Sequence, residues 1–348
     1  MKICTHFNST GGFKEGARLL REMEGEGLDL VWVAEVYGYD SPSLMGFIAG
    51  QTERVEIGSA IMPLYSRTPA LIAMTAAGID AISGGRFNLG LGASGPQVIE
   101  GFHGVPYDNP MGRTREIIDI CRQAWKREPL VHDGKNYHLP LPAGQGTGLG
   151  KPLKLIVHPE RADIPIWNAA LGDKNVQMTA EICDGWMPIY FVPEFAKDVW
   201  GAALAAGSAK RDPALKPLMT SAGGLVAIGD GDDVLAVREQ QRATLALYVG
   251  GMGARGKNFY NDLACRYGFE KEAKEIQDLY LDGKKKEAEA AVPERFCELT
   301  TLVGPKSYVA ERIAAFREAG ITHLNVRPVP VGDQTAPELI GIVKELSS

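Results

Sequence analysis

Few features of this 348-residue sequence mark a secreted, metal-binding or membrane-embedded protein. Its five cysteines are odd in number and widely spaced, with no Cys-x-x-Cys pair, so we expect neither a disulfide framework nor a structural zinc site. No run of about 18 apolar residues could cross a bilayer, and the first residues, MKICTHFNSTGGF, lack the apolar segment of a signal peptide. We therefore predict a cytoplasmic protein with no membrane span.

A basic surface and the common catalytic motifs are also missing. The formal net charge is -6, and Lys and Arg are spread along the chain without a basic stripe, which argues against a nucleic-acid partner. Because H-E-x-x-H, G-x-S-x-G and the P-loop are absent, metalloprotease, serine hydrolase and phosphoryl-transfer chemistry have no residues to support them. We predict a small-molecule substrate and no bound metal.

What the sequence does contain is a regular alternation of apolar strands and helices. Strands are predicted at 2–7, 28–34, 55–61, 86–91, 164–170, 184–190, 219–228 and 321–328. Eight strand and helix pairs favour one (β/α)8 TIM barrel. The alternative is an open doubly wound sheet, but no G-x-G-x-x-G follows the first strand. We interpret breaks at about 128–163 and 250–299 as insertions in a single domain spanning residues 1–348.

The stretch that organises the rest is GGRFNLGLGASGPQVIEGFHG, from Gly84 to Gly104. A short strand there runs directly into Gly92 and a tight turn of small residues, so the backbone must be exposed, as it is where a flat ligand binds. In a barrel the site lies at the carboxyl ends of the strands. The candidate residues are therefore those at or just after the end of each predicted strand. They are Asn8, Glu35, 59–62, 92–98, Trp167, Asn168, 172–176 and Tyr190.

Four stretches resemble the luciferase-like monooxygenase superfamily, and in particular its deazaflavin-dependent oxidoreductases. They are VWVAE, IGSAIMPLYSRTPALIAMTA, SGGRFNLGLGASGPQVIEGFHGVPYD and LGDKNVQMTAEICDGW. The resemblance covers essentially the whole chain. It implies a TIM barrel with insertions that binds coenzyme F-420, an 8-hydroxy-5-deazaflavin, or in other branches FMN. It also implies a homodimer formed through barrel helices.

The resemblance assigns cofactor contacts to the ends of strands three and four. It implies a non-prolyl cis peptide at Ala60-Ile61 under one face of the ring, where the residues alone indicate an ordinary strand end. It implies backbone N–H donors to the ring edge from a loop that otherwise reads as a tight turn before a helix. That loop consists of Ser94, Gly95, Pro96, Gln97 and Val98. Asn8 and Arg67 are further candidates for cofactor contacts. The sequence is equally compatible with Arg67 as an ordinary surface arginine.

A helix predicted to begin after Gly172 offers a phosphate site, since the N-terminus of a helix favours anions. The candidates there are Gly172, Lys174, Asn175 and Val176. Relatives commonly carry Gly-Pro at this point, whereas this chain has Gly172-Asp173. We expect an Asp173 N-cap to compete with a phosphate for the same N–H groups, with Lys174 offsetting its charge.

Two residues are candidates for proton transfer. Glu35 follows four apolar residues at the end of strand two, and His6 lies within strand one, where it could point into the mouth or into the wall. The substrate-pocket candidates are Tyr65, His158, Trp167 and Asn168, each of which is also readable as structural.

The resulting hypothesis is a coenzyme F-420-dependent oxidoreductase. It would transfer a hydride between C5 of the cofactor and an organic carbonyl, alcohol or activated double bond. Two alternatives remain open from the sequence: an FMN-dependent monooxygenase that uses dioxygen, and a barrel that binds the deazaflavin without turnover.

Overall fold

The computed structural model describes residues 1–8 and 10–348, and its centre is a closed barrel of parallel strands. The barrel strands are β1 (Lys2–His6), β2 (Leu30–Val33), β3 (Glu56–Ser59), β4 (Phe87–Gly92), β5 (Ile166–Asn168), β6 (Gly185–Trp186), β7 (Met219–Ala222) and β8 (His323–Asn325). Their order is β3-β2-β1-β8-β7-β6-β5-β4, and pairing of β3 with β4 closes the ring. The predicted TIM barrel is confirmed, and the open doubly wound sheet is excluded.

Helices surround the barrel and fill its loops. They are α1 (Phe13–Gly25), α2 (Ser41–Ala49), α3 (Pro69–Ser83), α4 (Pro96–Gly101), α5 (Pro110–Trp125), α6 (Asp173–Ile182), α7 (Ala196–Ser208), α8 (Asp232–Ala246), α9 (Phe259–Arg266), α10 (Glu270–Leu281), α11 (Lys285–Ala290), α12 (Glu294–Leu299), α13 (Lys306–Glu318) and α14 (Ala336–Leu346). The apolar faces of the helices that follow the strands pack on the outward side chains of the barrel, where most of the core lies.

Two tryptophans fill the barrel interior and require glycine on the strands beside them. Trp32 and Trp167 are fully buried and meet edge to face at 5.2 Å between ring centroids. A Cβ atom at Gly58 would lie 2.3 Å from the Trp32 ring, and one at Gly185 would lie 2.0 Å from the Trp167 ring. Each glycine therefore provides the space that a neighbouring indole occupies.

Gly185→Ala is expected to lower the free energy of unfolding by about 1–3 kcal/mol, because the added methyl group overpacks the interior against a ring that cannot move away. The matched control is Gly46→Ala in α2, where an added Cβ meets nothing within 4 Å. Chemical denaturation of both variants checks the prediction. Equal stability of the two variants would contradict it.

The seventh predicted strand divides where the backbone leaves the barrel. Residues Met219–Ala222 belong to the barrel, whereas Leu225–Ile228 pair with Thr301–Gly304 and with Arg327–Pro328 in a separate parallel sheet of three strands. Gly223 allows the bend, since a Cβ there would lie 2.1 Å from the carbonyl oxygen of Asn325. This second sheet extends the chain beyond β7 and β8 at the mouth of the barrel.

The two predicted insertions differ in structure. Within 128–163 the described chain is irregular apart from a hairpin of His132–Asp133 with His138–Leu139. Within 250–299 it forms the four helices α9 to α12. The π-helical turn Leu247–Gly251 connects α8 to this second segment, a type of turn that is frequent at functional sites.

Candidate functional site

The end of β3 carries the predicted non-prolyl cis peptide, between Ala60 and Ile61. Backbone pairing of β3 with β4 stops at Gly58. Beyond it the Ser59 hydroxyl connects the two strands, since it donates to the Gly90 carbonyl (2.8 Å) and accepts from the Gly90 N–H (2.9 Å). The Ala60-Ile61 bulge therefore lies at the mouth with both residues partly exposed. The cis bond is confirmed, while its contact with a cofactor ring stays a prediction.

The loop after β4 leaves several backbone donors unused. The N–H groups of Ser94, Gly95 and Gln97 have no acceptor in the described part of the chain, whereas Val98 donates to the Gly95 carbonyl at 3.0 Å. Ser94 has a left-handed φ of 58°, and Tyr107 holds the loop by donating its hydroxyl to the Ser94 carbonyl at 3.3 Å. Pro96 begins α4. The loop offers fixed N–H donors beside the cis bulge, as a ring-edge site requires.

At the start of α6 the predicted cap is wrong. Gly172 is the N-cap, and Asp173 is the first helical residue, with its carboxylate turned to Arg266 at 2.9 Å. Asp173 therefore does not occupy the helix donors. Because Asn175 and Val176 donate their N–H groups to the Gly172 carbonyl (2.9 and 3.0 Å), neither N–H is free for an anion.

The open donors of α6 lie one position earlier than predicted. The N–H groups of Asp173 and Lys174 have no acceptor among residues 1–8 and 10–348, and the Lys174 side chain is exposed. Asn175 instead fixes the helix start, since its side-chain oxygen accepts from Asn168 at 3.1 Å. Gly172 and Lys174 thus remain phosphate candidates, while the roles predicted for Asn175 and Val176 lose their donors.

Glu35 and Arg67 bind each other in a largely buried ion pair. The two arginine Nη atoms donate to the two carboxylate oxygens at 2.7 and 3.1 Å, and the side chains are 7% and 12% exposed. Ser41 donates both its N–H and its hydroxyl to the same carboxylate (2.9 and 2.6 Å). With its lone pairs taken up in this way, Glu35 is placed to anchor the loop after β2. Its predicted role in proton transfer has no geometric support.

Glu35→Gln and Arg67→Gln are each expected to lower the free energy of unfolding by about 3 kcal/mol, because either change leaves a buried charge without its partner. The double variant should cost clearly less than the sum, as expected for residues in contact. The control pair is Lys286 with Glu289, where the lysine is exposed and no change is expected. Strict additivity at 35 and 67 would show that the pair is not coupled.

His6 lies at the floor of the mouth. Its Nε2 accepts from Asn325 Nδ2 at 2.9 Å, which places the proton of the neutral ring on Nδ1. The ring is accessible to solvent yet surrounded by protein, a combination found at the bottom of a deep cleft. Desolvation and the charge of Arg327 lower the pKa of His6 to about 4, so the imidazole is neutral at neutral pH.

A wall of three packed tyrosines lies beyond the carboxyl end of β6. Tyr190 follows β6, Tyr248 lies in the π-helical turn and Tyr260 lies in α9; their rings meet edge to face, with centroids 4.8–6.4 Å apart. Burial raises the pKa of all three hydroxyls, so they remain protonated donors. The Tyr190 hydroxyl is buried and has no partner in the described chain.

Three of the four predicted substrate-pocket residues lie away from the mouth. Tyr65 donates to the Asp108 carbonyl at 2.8 Å behind the loop after β4. Trp167 points into the barrel interior and donates to Asn88 at 2.9 Å, while Asn168 points outward to Thr179 (2.8 Å). His158 contacts Arg127, after the carboxyl end of α5 and therefore at the opposite end of the barrel. Trp167, Asn168 and His158 are therefore not placed to line the mouth, whereas Tyr65 packs on Tyr107, which holds the donor loop.

Asn8 is exposed after β1, where its side-chain oxygen accepts from the N–H and hydroxyl of Thr10 (3.0 and 2.7 Å). The sequence did not single out Asn325, Arg327, Tyr248 or Tyr260. The first two are recognisable from the alternation after β8, since 323, 325 and 327 share one face of the strand. The tyrosines belong to or border an insertion, where no periodic signal identifies lining residues.

Across residues 1–8 and 10–348, no three His, Cys, Asp or Glu side chains are grouped so that they could bind a metal. In the same part of the chain, no helix combines the length and the apolar character needed to cross a membrane.

A closed parallel barrel with convergent donors at its carboxyl mouth is the arrangement of TIM-barrel enzymes. The family model described as luciferase-like monooxygenase matches residues 3–323, and the chain belongs to this family. A Mycobacterium tuberculosis protein whose name reads "putative coenzyme F-420-dependent oxidoreductase" is 40% identical over 314 residues, which is 89% of each chain.

Two further similarities extend over nearly the full length. The 5,10-methylenetetrahydromethanopterin reductase of Archaeoglobus fulgidus is 26% identical over 356 residues, covering 99% of this chain and 98% of that protein. The solved structure of the coenzyme F-420 dependent tetrahydromethanopterin reductase from Methanopyrus kandleri superposes with a TM-score of 0.81 at 20% identity, covering 98% of this chain and 96% of that one. The latter shows the same fold.

Proposed function

We propose that this protein is a coenzyme F-420-dependent oxidoreductase acting on an organic carbonyl, alcohol or activated double bond. Family membership and the F-420-dependent relatives support this class. The observation that carries the proposal is the juxtaposition at the mouth of the partly exposed Ala60 and Ile61 and the unused N–H donors of the loop after β4. When bound, the deazaflavin supplies the hydride chemistry at its C5.

The residues present fit such a cofactor. Ala60 and Ile61 provide a partly exposed surface for a flat ring, and Ser94, Gly95 and Gln97 provide N–H donors for oxygen acceptors at its edge. The start of α6 provides the N–H groups of Asp173 and Lys174 for a phosphate, with the lysine charge beside them. The Glu35–Arg67 pair fixes the loops after β2 and β3 on which this surface depends.

We assign to His6 a hydrogen bond from Nδ1 to the substrate oxygen at which charge develops. Asn325 fixes its tautomer, so that Nδ1 carries the proton of the neutral ring. A neutral donor beside the reacting oxygen can stabilise developing negative charge there without an ion pair. Tyr190 and Tyr248 reduce the access of water on the same side of the mouth.

A fluorescence titration of the purified protein tests the cofactor assignment. Coenzyme F-420 and FMN are titrated separately at equal concentrations and fixed salt. Micromolar or tighter binding of the deazaflavin, with weaker binding of FMN, supports the proposal. The reverse order supports the FMN-dependent monooxygenase that the family's description also covers. Tight deazaflavin binding without turnover of ketones, alcohols or enones supports a non-catalytic binder.

We further propose that the protein is a cytoplasmic homodimer. The five cysteines are all free thiols in the structure, as a reduced compartment maintains them. An apolar stripe on the outer face of α3, formed by Leu71, Met74 and Ile82, is 45–64% exposed at helical spacing. Exposed apolar surface of this kind favours a second copy as its cover.

The double variant Met74→Glu with Ile82→Glu is expected to convert the dimer to a monomer, because it buries two carboxylates in the proposed interface. Analytical ultracentrifugation measures the change. The control places the same charges at Lys271 and Lys274 on the exposed face of α10, where the dimer should persist. A wild-type protein that is monomeric at micromolar concentration would contradict the proposal directly.

A further inference from the structure

The strand order places β8 opposite the cofactor surface. In the ring β3-β2-β1-β8-β7-β6-β5-β4, four steps in either direction separate β8 from β4. Asn325 and Arg327 therefore lie across the mouth from the donor loop that follows β4. A substrate bound against a ring at β3 and β4 would meet the residues of β8 and β1 on its other side.

Arg327 is a cation without a carboxylate partner in the described chain. Its backbone pairs with the sheet outside the barrel, and its side chain is exposed. Two other arginines at the mouth are neutralised, since Arg67 pairs with Glu35 and Arg266 with Asp173. The positive charge of Arg327 reaches inward, because it lowers the pKa of His6 and also acts on Tyr190 and Tyr248.

One buried donor on which the charge of Arg327 acts also lacks a partner. The Tyr190 hydroxyl is buried and has no hydrogen-bond partner in the described structure. Buried polar atoms are nearly always paired, so this unpaired donor, together with the unpaired cation, indicates a position for a ligand that accepts hydrogen bonds. The donors suited to an acceptor here are the guanidinium group and the tyrosine hydroxyl.

We infer that Arg327 binds a carboxylate of the substrate, and that the substrate is a carbonyl or enone compound with a planar, largely apolar body. The guanidinium fork matches the two oxygens of a carboxylate. The tyrosine edges of Tyr190 and Tyr248 provide the surface for the body. Among the described residues a single cation, Arg327, acts on this group, which suits one negative charge better than the two of a phosphate monoester. The inference rests on the proposed function, whose substrate class it specifies.

The test measures binding of 4-acetylbenzoate and its neutral isostere 4-acetylbenzamide to the deazaflavin-loaded protein by calorimetry. The wild type should bind the carboxylate at least tenfold more tightly than the amide. Arg327→Gln should remove this preference while changing amide affinity less than twofold, and Arg327→Lys should retain part of it. The matched control is Arg255→Gln, which removes an exposed arginine paired with Asp278.

Several outcomes would overturn the inference. They are equal binding of the two probes by the wild type, a preference that survives Arg327→Gln, failure of both probes to bind, and stronger competition by inorganic phosphate than by benzoate. An equal loss of deazaflavin affinity in Arg327→Gln would assign the residue to the cofactor instead. Repeating the titration without cofactor separates the two proposals, since a carboxylate preference that persists there stands even if the deazaflavin does not bind.

Discussion

Replacing Gly95 with tryptophan is expected to weaken coenzyme F-420 binding by about 100-fold, the equivalent of losing one or two hydrogen bonds to a charged acceptor. The side chain would project from the donor loop into the space proposed for the ring edge. Folding should be unaffected, because Gly95 has an ordinary φ of -108° and an added Cβ would meet only the flexible Gln97 amide, at 3.3 Å. Fluorescence titration measures the affinity, and thermal unfolding measures the stability.

Gly101→Trp is the control for this variant. Gly101 is the last residue of the same helix, is exposed and has nothing within 4 Å of an added Cβ. Its affinity for the deazaflavin should equal that of the wild type. If Gly95→Trp also binds with wild-type affinity, the donor loop does not belong to the cofactor site.

Replacing His6 with asparagine is expected to lower kcat/KM by about 10²- to 10³-fold, the usual contribution of one positioned donor to a developing oxyanion. Deazaflavin affinity should be retained, since His6 lies on the β1 and β8 side of the mouth. Because the pKa of His6 is lowered to about 4, the neutral ring is the dominant form above about pH 5. The rate attributable to His6 should therefore be constant through neutral pH and fall only below about pH 5, where protonation of Nε2 breaks the hydrogen bond from Asn325 that orients the ring.

Asn325→Leu is the companion variant for His6. It removes the hydrogen bond to Nε2 and so releases the tautomer. We expect a smaller loss of kcat/KM than in His6→Asn. We also expect the fall in rate at acid pH to begin at a different pH from that of the wild type. A His6→Asn enzyme with undiminished kcat/KM would exclude a role for His6 at the substrate oxygen and would assign that role to another group at the mouth.

The barrel was predictable because each strand and helix carries its own local signal. The run LVWV, for example, is fully buried in the structure, as its continuous apolar character predicts. The strand Thr301–Gly304 was not predictable, because four residues between two helices carry no such signal and its partner at Leu225–Ile228 is remote in sequence. Local patterning identifies elements, whereas pairing depends on residues far apart in the chain.

The side-chain roles were less predictable for a similar reason. Trp167 and Asn168 are adjacent in sequence and point to opposite faces of β5, so one of them had to face away from any interior site. The role proposed for Glu35 depended on its lacking a partner, and that partner, Arg67, is 32 positions away. The cis peptide was predicted correctly only through resemblance, since the residues themselves indicate an ordinary strand end.

The bend at Gly223 has a consequence for how such a protein can change. The first part of the chain, through α6, supplies the surface proposed for the cofactor. The last part supplies Arg327, Tyr248 and Tyr260, whereas His6 and Tyr190 come from before residue 218. Recombination near residue 218 would exchange one part without cutting through the other. The range of substrates can then change among descendant proteins, while the surface proposed for the cofactor is inherited unchanged.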